Sequence, residues 1–351
     1  ADENDYYKLS TVNFPKELKL EVSGMAALPE DRMAIAIRKG EIWIAEKIST
    51  NKPIYRQFAS GLHEPLGLAY HKGDLYTVQR TELTRLRDTD GDGQADEYLT
   101  HAKGWGVTGN YHEYAYGPAI DGEGNLWVAL NSSIGKGYRS NNKWRGWSLR
   151  VKPDGSWRPM TGGFRSPSGI GTNLNGDVFV TDQQGNWFPT CPLMHLKQGT
   201  FHGHADSLQF TQLPEATFRL NRALPKNLTV SQAAERIPAY QLPAVWFPYR
   251  KMGMSTTDIL ADSTQGKFGP FAGQLFCGEF TMSFISRVFL EKVEGEYQGA
   301  CFRFRDGLEC AALRMQWGAD GSMYIGQSNR GWNSLGTRSY GLQRLQWTGK
   351  V

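Results

Sequence analysis

The 351-residue chain lacks several features that would place it in a common protein class. It has no run near the roughly 18 apolar residues of a membrane-spanning helix, so no transmembrane segment is predicted. The charge is nearly balanced, with 39 basic and 35 acidic residues and a net charge of +4. No basic tract favours a nucleic-acid partner. None of the four cysteines forms a C-x-x-C or C-x-x-C-H motif, so neither a zinc knuckle nor covalent haem attachment is encoded.

The cysteines and the first residues bear on where the protein works. Cys301 and Cys310 flank the stretch FRFRDGLE, a spacing that two strands can bring within disulfide range, and free buried thiols fit the sequence equally well. The chain opens with the polar stretch ADENDYY. This is compatible with the mature end of an exported protein, although an arbitrary boundary would look the same. We therefore expect a periplasmic or secreted protein.

Glycine and aromatic residues, by contrast, are plentiful. Forty glycines and 12% aromatic residues indicate a turn-rich β protein with a sizeable core. One pattern recurs six times: a small-residue start, an apolar strand, a turn with glycine, and a second strand that carries an aromatic residue and ends in a polar one. The six aromatic residues are Trp43, Tyr76, Trp127, Phe179, Phe276 and Tyr324. Most of them are separated by about the 40–50 residues of a propeller blade.

The repeat predicts an all-β protein, a six-bladed β-propeller built from one domain over residues 1–351. The C-terminal stretch YGLQRLQW is expected to pair with a strand near the N-terminus and close the ring. A Pro-rich, partly helical insertion over about residues 191–245 is expected between blades 4 and 5. A β-sandwich is the alternative, but it does not explain why the same hairpin returns six times.

The fourth repeat, RSPSGIGTNLNGDVFVTDQQG, predicts a hairpin with polar residues at its open end. In an antiparallel hairpin the start of the first strand lies beside the end of the second. Arg165 and Ser168 should therefore meet Asp182 and Gln183. If all six hairpins are the inner pairs of blades, such residues gather at one opening of the central channel. A polar ring of this kind is either a self-satisfied hydrogen-bond network or a ligand site.

An acidic loop, DTDGDGQADE, is the sharpest local motif. Oxygen ligands at alternate positions and a glycine after the third aspartate are typical of a calcium site. The position that would carry the bidentate glutamate of an EF-hand holds Leu99, so a different kind of calcium loop is expected. The predicted ligands are Asp88, Asp90, Asp92, the Gln94 carbonyl and Asp96, and a merely acidic turn is the alternative.

His112 lies in GNYHEYAYGP, just before the first strand of the third repeat. This position predicts its imidazole at the channel opening, beside Tyr111 and near Arg165. A neutral histidine can take a proton from a sugar hydroxyl, and Glu113 is a candidate to orient it. The alternative is a histidine that is simply hydrogen-bonded inside the channel.

Several basic residues are expected to make this opening electropositive and suited to a carboxylated ligand. Lys251 and Arg250 lie in WFPYRKMGMS, at the approach to the fifth repeat. The others are Arg80, Arg165, Arg314 and Arg330. Any of them is also compatible with ordinary surface charge.

Taken together, NYHEYAYGPAIDGEGNLWVALN and RSPSGIGTNLNGDVFVTDQQG resemble the soluble aldose and sorbosone dehydrogenases, six-bladed propellers that use pyrroloquinoline quinone and calcium. The resemblance implies that His112 is the general base and that Arg165 and Ser168 contact the quinone. It also implies calcium and cofactor contacts at Gln183, Gln184 and Gly185. The stretches LRDTDGDGQAD and KFGPFAGQLF resemble, still more closely, exported dehydrogenase-like propellers that are often joined to a c-type haem domain.

This chain departs from the resembled family at two cationic positions. The quinone-binding lysine of the family falls near Thr281, and its paired arginines fall near Ala311 and Leu313, with Arg314 adjacent. A tricarboxylate cofactor without those cations loses charge-assisted hydrogen bonds. Lys251, Arg250 and Arg330 are candidates to replace them.

Three functions follow as hypotheses. The first is an exported, quinone-dependent sugar dehydrogenase that passes electrons to a separate acceptor such as cytochrome c. The second is a cofactor-free lyase on an anionic polysaccharide, in which His112 and Tyr111 move protons. The third is a non-catalytic carbohydrate-binding propeller.

Overall fold

A computed structural model describes residues 2–135 and 142–351, and its strands form six sheets. The innermost strands of neighbouring sheets contact one another in chain order, and the last contacts the first. The sheets are therefore blades around a closed ring, which confirms the predicted six-bladed propeller. Within the described residues, no helix is long and apolar enough to cross a membrane.

The first three blades follow one another along the chain. Blade 1 contains β2 (Val22–Leu28), β3 (Arg32–Ile37), β4 (Glu41–Glu46) and β5 (Ile54–Ala59). Blade 2 contains β6 (Ala69–His71), β7 (Asp74–Val78), β8 (Glu82–Arg87) and β9 (Glu97–Lys103). Blade 3 contains β10 (Ala115–Ile120), β11 (Leu126–Leu130), β12 (Trp147–Val151) and β13 (Trp157–Gly162), with β17 (Thr200–Phe201) added in parallel at its edge.

The last three blades include the closure of the ring. Blade 4 contains β14 (Gly169–Thr172), β15 (Val178–Thr181), β16 (Cys191–His195) and β18 (Val245–Phe247). Blade 5 contains β19 (Thr256–Ala261), β20 (Leu275–Glu279), β21 (Phe284–Val293) and β22 (Glu296–Arg305). Blade 6 contains β23 (Ala312–Trp317), β24 (Met323–Ser328), β25 (Tyr340–Trp347) and the N-terminal β1 (Tyr7–Thr11). Leu9 pairs with Leu345, as the predicted closure requires.

The hydrophobic core is divided among the interfaces between blades. Each pair of neighbouring blades encloses its own buried cluster. The aromatic residues of the repeat contribute to them: Phe276 packs between blades 5 and 6, and Phe179 packs between blades 4 and 5. Burying a phenylalanine here stabilises the fold enough that truncation to alanine costs about 3–5 kcal/mol.

Glycine at the start of the inner strands has a specific cause. A Cβ on Gly67, which has a φ of +140°, would lie 2.2 Å from the Gly117 carbonyl oxygen of the next blade. A Cβ on Gly169 would lie 1.9 Å from the Thr257 carbonyl oxygen. The inner strands therefore approach so closely that only glycine fits at these points, which explains the small residues of the repeat.

Two details of the predicted repeat differ from the structure. The first repeat was placed one strand too far along, because β3, the second strand of blade 1, carries no aromatic residue and Trp43 lies on β4. The insertion lies within blade 4, between β16 and β18, rather than after that blade. It contains the 3-10 helix Ala205–Gln212 and the helix α1 (Val230–Arg236), and a further 3-10 turn, Glu3–Asp5, precedes β1. Thr229 caps α1 through a capping box with Gln232.

All four cysteines are free thiols, and Cys301 and Cys310 do not form the disulfide that their spacing allowed. Cys310 is buried near the end of blade 5, whereas Cys301 is half-buried on β22.

Each blade has two ends, one on either side of the ring. The mouth side is where the first strand of each blade begins and its second strand ends, and the rear side is the opposite end.

Candidate functional site

A cavity of about 460 Å³ opens on the mouth side of the ring. We call it the mouth cavity. Its size falls within the usual range for small-molecule sites. The residues that line it come from the strand ends and loops of blades 3 to 6: Tyr111, His112, Tyr114, Tyr116, Ile134, Arg165, Ser166, Ser168, Gln183, Gln184, Met254, Ser255, Phe280, Thr281, Leu313, Arg330, Trp332 and Asn333.

The open end of blade 4 is organised by a buried carboxylate. Asp182 follows β15 and accepts hydrogen bonds from the backbone N–H groups of Arg165 and Ser166, each at 2.8 Å, and of Gln183 at 2.7 Å. Burial raises the pKa of Asp182, and these backbone N–H groups act in the opposite direction. The predicted meeting of the two strand ends is therefore observed, and it presents Arg165 and Gln183 to the cavity.

Blade 5 repeats this arrangement. Glu279, the last residue of β20, is buried and accepts hydrogen bonds from the backbone N–H groups of Met254, Ser255 and Met282. Gln183 donates from its side-chain amide to the Ser255 hydroxyl at 2.6 Å and so joins the two blades. Sequence reasoning missed Ser255 because the charged Arg250 and Lys251 just before it were taken as the candidates at this approach. Its place just before β19, like that of Ser166 before β14, is the signal that identifies it.

His112 lines the cavity beside aromatic residues. Its ring centroid lies 5.6 Å from that of Tyr111 and 6.5 Å from that of Trp332. Burial, followed by the charges of Arg165 and Arg330, lowers the pKa of His112 below its usual value. The imidazole is therefore neutral at neutral pH and able to accept a proton.

The structure corrects the partner that was expected to orient His112. Glu113 is fully buried and turned away from the cavity, where it accepts hydrogen bonds from Thr108, Ser133 and Asn142. Its role is to hold together the loops behind His112. The His112 backbone N–H is instead fixed by the Asn110 side chain at 3.0 Å.

Arg165 and Arg330 are the cations that line the mouth cavity within the described residues. Arg330 donates to the Tyr116 hydroxyl and to Glu64, each at 3.0 Å. The guanidinium of Arg165, by contrast, makes no hydrogen bond or ion pair within the described part of the chain. A half-buried cation without a partner inside a cavity is a group suited to an anionic ligand.

Two predicted cofactor contacts lie outside the cavity. Arg314 points into the channel below it, where it donates to the backbone carbonyls of Ser23, Ser168 and Leu313 and lies over the Tyr116 ring. Its Nε and Nη1 groups are therefore used by the fold. Lys251 is exposed in the turn after β18 and does not line the cavity. Arg250, in the same turn, lies over the ring of Tyr249.

Ser168 and Gly185, two further predicted cofactor contacts, lie in or beside the mouth cavity. Ser168 lines both the mouth cavity and the channel below it, and its carbonyl accepts the hydrogen bond from Arg314. Gly185 lies beside Arg165, since an added Cβ would be 3.6 Å from the Cδ atom of that arginine. A side chain at Gly185 would therefore restrict the position of the guanidinium.

The acidic loop lies on the rear side of blade 2, because it follows the rear end of β8 and precedes β9. The loop therefore lies on the opposite side of the ring from His112, which lines the mouth cavity. Carboxylate oxygens of Asp88, Asp90 and Asp96 lie within 4.8 Å of one another. Calcium–oxygen distances allow about 4.6–5.2 Å between ligands on opposite sides of the ion, so these three residues fit calcium. Asp92 is not part of this group, and its carboxylate accepts the Gln94 backbone N–H instead. The Gln94 carbonyl stays a predicted ligand.

The donor set of the mouth cavity also fits a planar carboxylated cofactor such as pyrroloquinoline quinone. Arg165 has an unpaired guanidinium, and Gln183, Gln184 and Ser166 line the same cavity with amide and hydroxyl groups. Thr281 lines the cavity at the position where the resembled family has a lysine, and the apolar Leu313 lines it near the position of the paired arginines. The cavity therefore offers room and donors, with fewer cations than the family uses.

Solved structures share this fold over almost the whole chain. The quinone-bound aldose sugar dehydrogenase of Streptomyces coelicolor is 15% identical, with a TM-score of 0.66 and coverage of 97% of this chain and 98% of its own. The holo quinone domain of Coprinopsis cinerea pyranose dehydrogenase is 11% identical, with a TM-score of 0.66 and coverage of 97% and 95%. An enzyme of carbohydrate-active enzyme family AA12 from Trichoderma reesei is 11% identical, with a TM-score of 0.68 and coverage of 98% and 96%.

These similarities confirm the fold that the resemblance to the soluble aldose dehydrogenases implied. No curated protein sequence matches the chain. A family model, described as a domain of unknown function (DUF7133), matches residues 55–300. Because that match spans more than half of the sequence, the chain belongs to the DUF7133 family.

Proposed function

We propose that the mouth cavity is the active site of a quinone-dependent oxidoreductase that takes a hydride from a sugar hydroxyl carbon. The observation that carries the proposal is that His112, with a lowered pKa, shares one cavity with the unpaired guanidinium of Arg165. The quinones in the structures from Streptomyces coelicolor and Coprinopsis cinerea, which share this fold, support the same cofactor here.

In this proposal, His112 accepts the hydroxyl proton on an imidazole nitrogen while the hydride leaves the carbon that carries the hydroxyl group. When bound, pyrroloquinoline quinone supplies the acceptor for that hydride. Arg165 would bind an anionic edge of the cofactor, and Gln183, Gln184 and Ser166 would complete its hydrogen bonds. Asp182 fixes the loop that carries these groups, so the site is preorganised by backbone hydrogen bonds.

We also propose a calcium site, an electron acceptor and a cellular location for the protein. The carboxylates of Asp88, Asp90 and Asp96 would bind calcium and stabilise the rear side of blade 2. Electrons would pass to a carrier such as cytochrome c. We place the protein in the periplasm or outside the cell, as the resembled exported propellers are.

A reconstitution experiment tests this function. Protein incubated with pyrroloquinoline quinone and calcium should reduce a redox dye when sugars are added, and protein without the quinone should not. The matched control is the His112→Gln variant treated in the same way. If the reconstituted wild-type protein reduces no dye with a broad panel of neutral and acidic sugars, the proposed oxidoreductase is wrong.

One observation favours a second function, a cofactor-free lyase acting on a uronate polymer. The Tyr111 hydroxyphenyl group stands beside His112, and two arginines line the same cavity. His112 would remove the proton next to the carboxylate, and Tyr111 would protonate the leaving glycosidic oxygen as the carbon–oxygen bond breaks and a carbon–carbon double bond forms. Ultraviolet absorbance of an unsaturated uronate, formed without any cofactor, identifies this outcome.

Tight glycan binding that survives His112→Ala without turnover would instead indicate a non-catalytic binding protein.

A further inference from the structure

The side chain of Arg330 is held in the wall of the mouth cavity with some of its N–H donors unused. It follows β24 and is only 9% exposed. Its two terminal nitrogens bind Tyr116 and Glu64, and its guanidinium lies 4.4 Å from the centre of the Tyr114 ring. Its Nε–H is buried and has no partner within the described residues. Because almost none of the Nε surface is exposed, a ligand in the cavity would meet the terminal nitrogens instead. Each of these carries a second N–H that makes no hydrogen bond within the described residues and is suited to an acceptor on a ligand.

The charges around Arg330 do not cancel. Glu64 is the carboxylate that pairs with it, and the same carboxylate pairs with Arg80 at 2.7 Å. Two arginines thus share one acidic group and leave a net positive charge beside the cavity. Within the described residues, no aspartate or glutamate lines the mouth cavity itself. The field in this part of the cavity favours an anion.

Arg330 also lies on the side of the cavity that contains the proposed base. Its charge contributes to lowering the pKa of His112, and Trp332, two residues further along, places its indole 6.5 Å from the imidazole. Trp332 is 55% exposed, and this leaves a flat apolar face free to stack on a sugar ring. One sugar can therefore contact Trp332 through its ring while it reaches His112 through a hydroxyl and Arg330 through an acidic substituent.

We infer that the sugar bound in the mouth cavity is acidic, and that Arg330 binds its carboxylate with the terminal N–H groups that the fold leaves unpaired. The inference rests on the proposed function in treating His112 as the group that faces the reacting hydroxyl. It assigns Arg165 to the cofactor and Arg330 to the substrate. A sugar phosphate presents similar acceptor oxygens, so the test includes one as a separate arm.

Calorimetric titration of the quinone-free protein tests the inference without any turnover. The probes are D-glucuronate, D-galacturonate, D-glucose and D-glucose 6-phosphate. We expect at least one uronate to bind about tenfold or more tightly than glucose, because a charge-assisted hydrogen bond contributes that much. Raising the salt concentration should reduce this selectivity. Phosphate selectivity without uronate selectivity would overturn the carboxylate assignment.

Substitutions then test whether Arg330 is the side chain that causes the uronate preference. Arg330→Gln should lose most of the uronate preference and keep its glucose affinity, whereas Arg330→Lys should retain part of the preference. Arg250→Gln, an exposed arginine outside the cavity, is the matched control and should behave as wild type. Thermal unfolding of each variant shows whether it is folded, and Trp332→Ala, an exposed substitution, should weaken both sugars without removing the preference.

The outcomes separate this inference from the proposed function. Uronate-selective binding that depends on Arg330, with no dye reduction after reconstitution, supports the inference and contradicts the oxidoreductase. Dye reduction with equal KM values for glucose and the uronates supports the oxidoreductase and overturns the inference. Loading with the quinone provides a further check: if it abolishes uronate binding to the wild-type protein, Arg330 belongs to the cofactor and the inference is wrong.

Discussion

Asp182 accepts the backbone N–H of Arg165 at 2.8 Å, which joins the end of β15 to the loop before β14. The two residues are 17 positions apart in the chain and lie at the open end of one hairpin. The backbone N–H groups of Ser166 and Gln183 donate to the same carboxylate. The buried side chain of Asp182 therefore supports the wall of the cavity. The side chain of Arg165 is left free for a ligand because the backbone, and not the guanidinium, satisfies Asp182.

Removing the charge of Asp182 should destabilise the protein. In Asp182→Asn the amide group offers one acceptor oxygen and an NH₂ group that faces N–H donors, so at least one buried donor loses its partner. We expect a loss of about 1.5–3 kcal/mol in the free energy of unfolding, measured by urea titration. Asp154→Asn is the control, because Asp154 is exposed in a turn that asparagine also forms. Equal stability of the two variants would contradict the supporting role of Asp182.

Replacing His112 should reduce turnover more than binding. We expect His112→Gln to lower the rate of sugar oxidation by about 10²–10⁴, the usual contribution of a general base, with a small change in sugar affinity. His63→Gln is the control, since His63 is exposed and does not line the mouth cavity. A His112→Gln variant that is as active as His63→Gln would show that another group accepts the proton.

The proposed sugar oxidation should persist to lower pH than an ordinary histidine allows. The base must be neutral, so the rate falls as pH drops through the pKa of His112, which burial, Arg165 and Arg330 hold below its usual value of about 6.5. Arg330→Gln removes one nearby positive charge and should raise that pKa. The acidic limb of the kcat/KM profile should therefore move to higher pH in this variant. A shift to lower pH, or none, would contradict the placement of Arg330 beside His112.

Calcium should stabilise the protein from the rear side of blade 2. Adding calcium should raise the Tm of the wild-type protein, because a ligand that binds only the folded state stabilises it. Asp88→Asn and Asp90→Asn should each reduce that rise, whereas Asp154→Asn should leave it unchanged. Sugar binding in the mouth cavity should be the same in all of these variants. A calcium effect that survives both substitutions would place the ion elsewhere.

Much of the fold is predictable from the sequence because the glycines and aromatic residues of the repeat meet the same packing requirements in successive blades. Glycines such as Gly67 and Gly169 mark where inner strands nearly touch, and the aromatic residues fill the spaces between blades. Blade 1 was misplaced by one strand because β3 lacks the aromatic residue and β4 has one in Trp43. The insertion was misplaced because β18 is a strand of only three residues, too short to show a pattern.

The candidate site was less predictable, because side-chain direction depends on contacts that no local pattern encodes. His112, Arg165 and Gln183 follow from the positions of strand ends, and they do line one cavity. Arg314 also lies at a strand start, yet its side chain turns into the channel to bind three carbonyls. Glu113 is adjacent to His112 in sequence and faces the opposite way, toward Thr108, Ser133 and Asn142.

Rapid mixing of quinone-loaded protein with a sugar tests whether the sugar gives up its hydride in the mouth cavity with His112 as the base, since the absorbance of the bound quinone reports a single turnover. We expect a fast absorbance change in the wild-type protein and one about 10²–10⁴ slower in His112→Gln at the same quinone occupancy. Equal rates in the two proteins, or no sugar-dependent change in either, would contradict this mechanism.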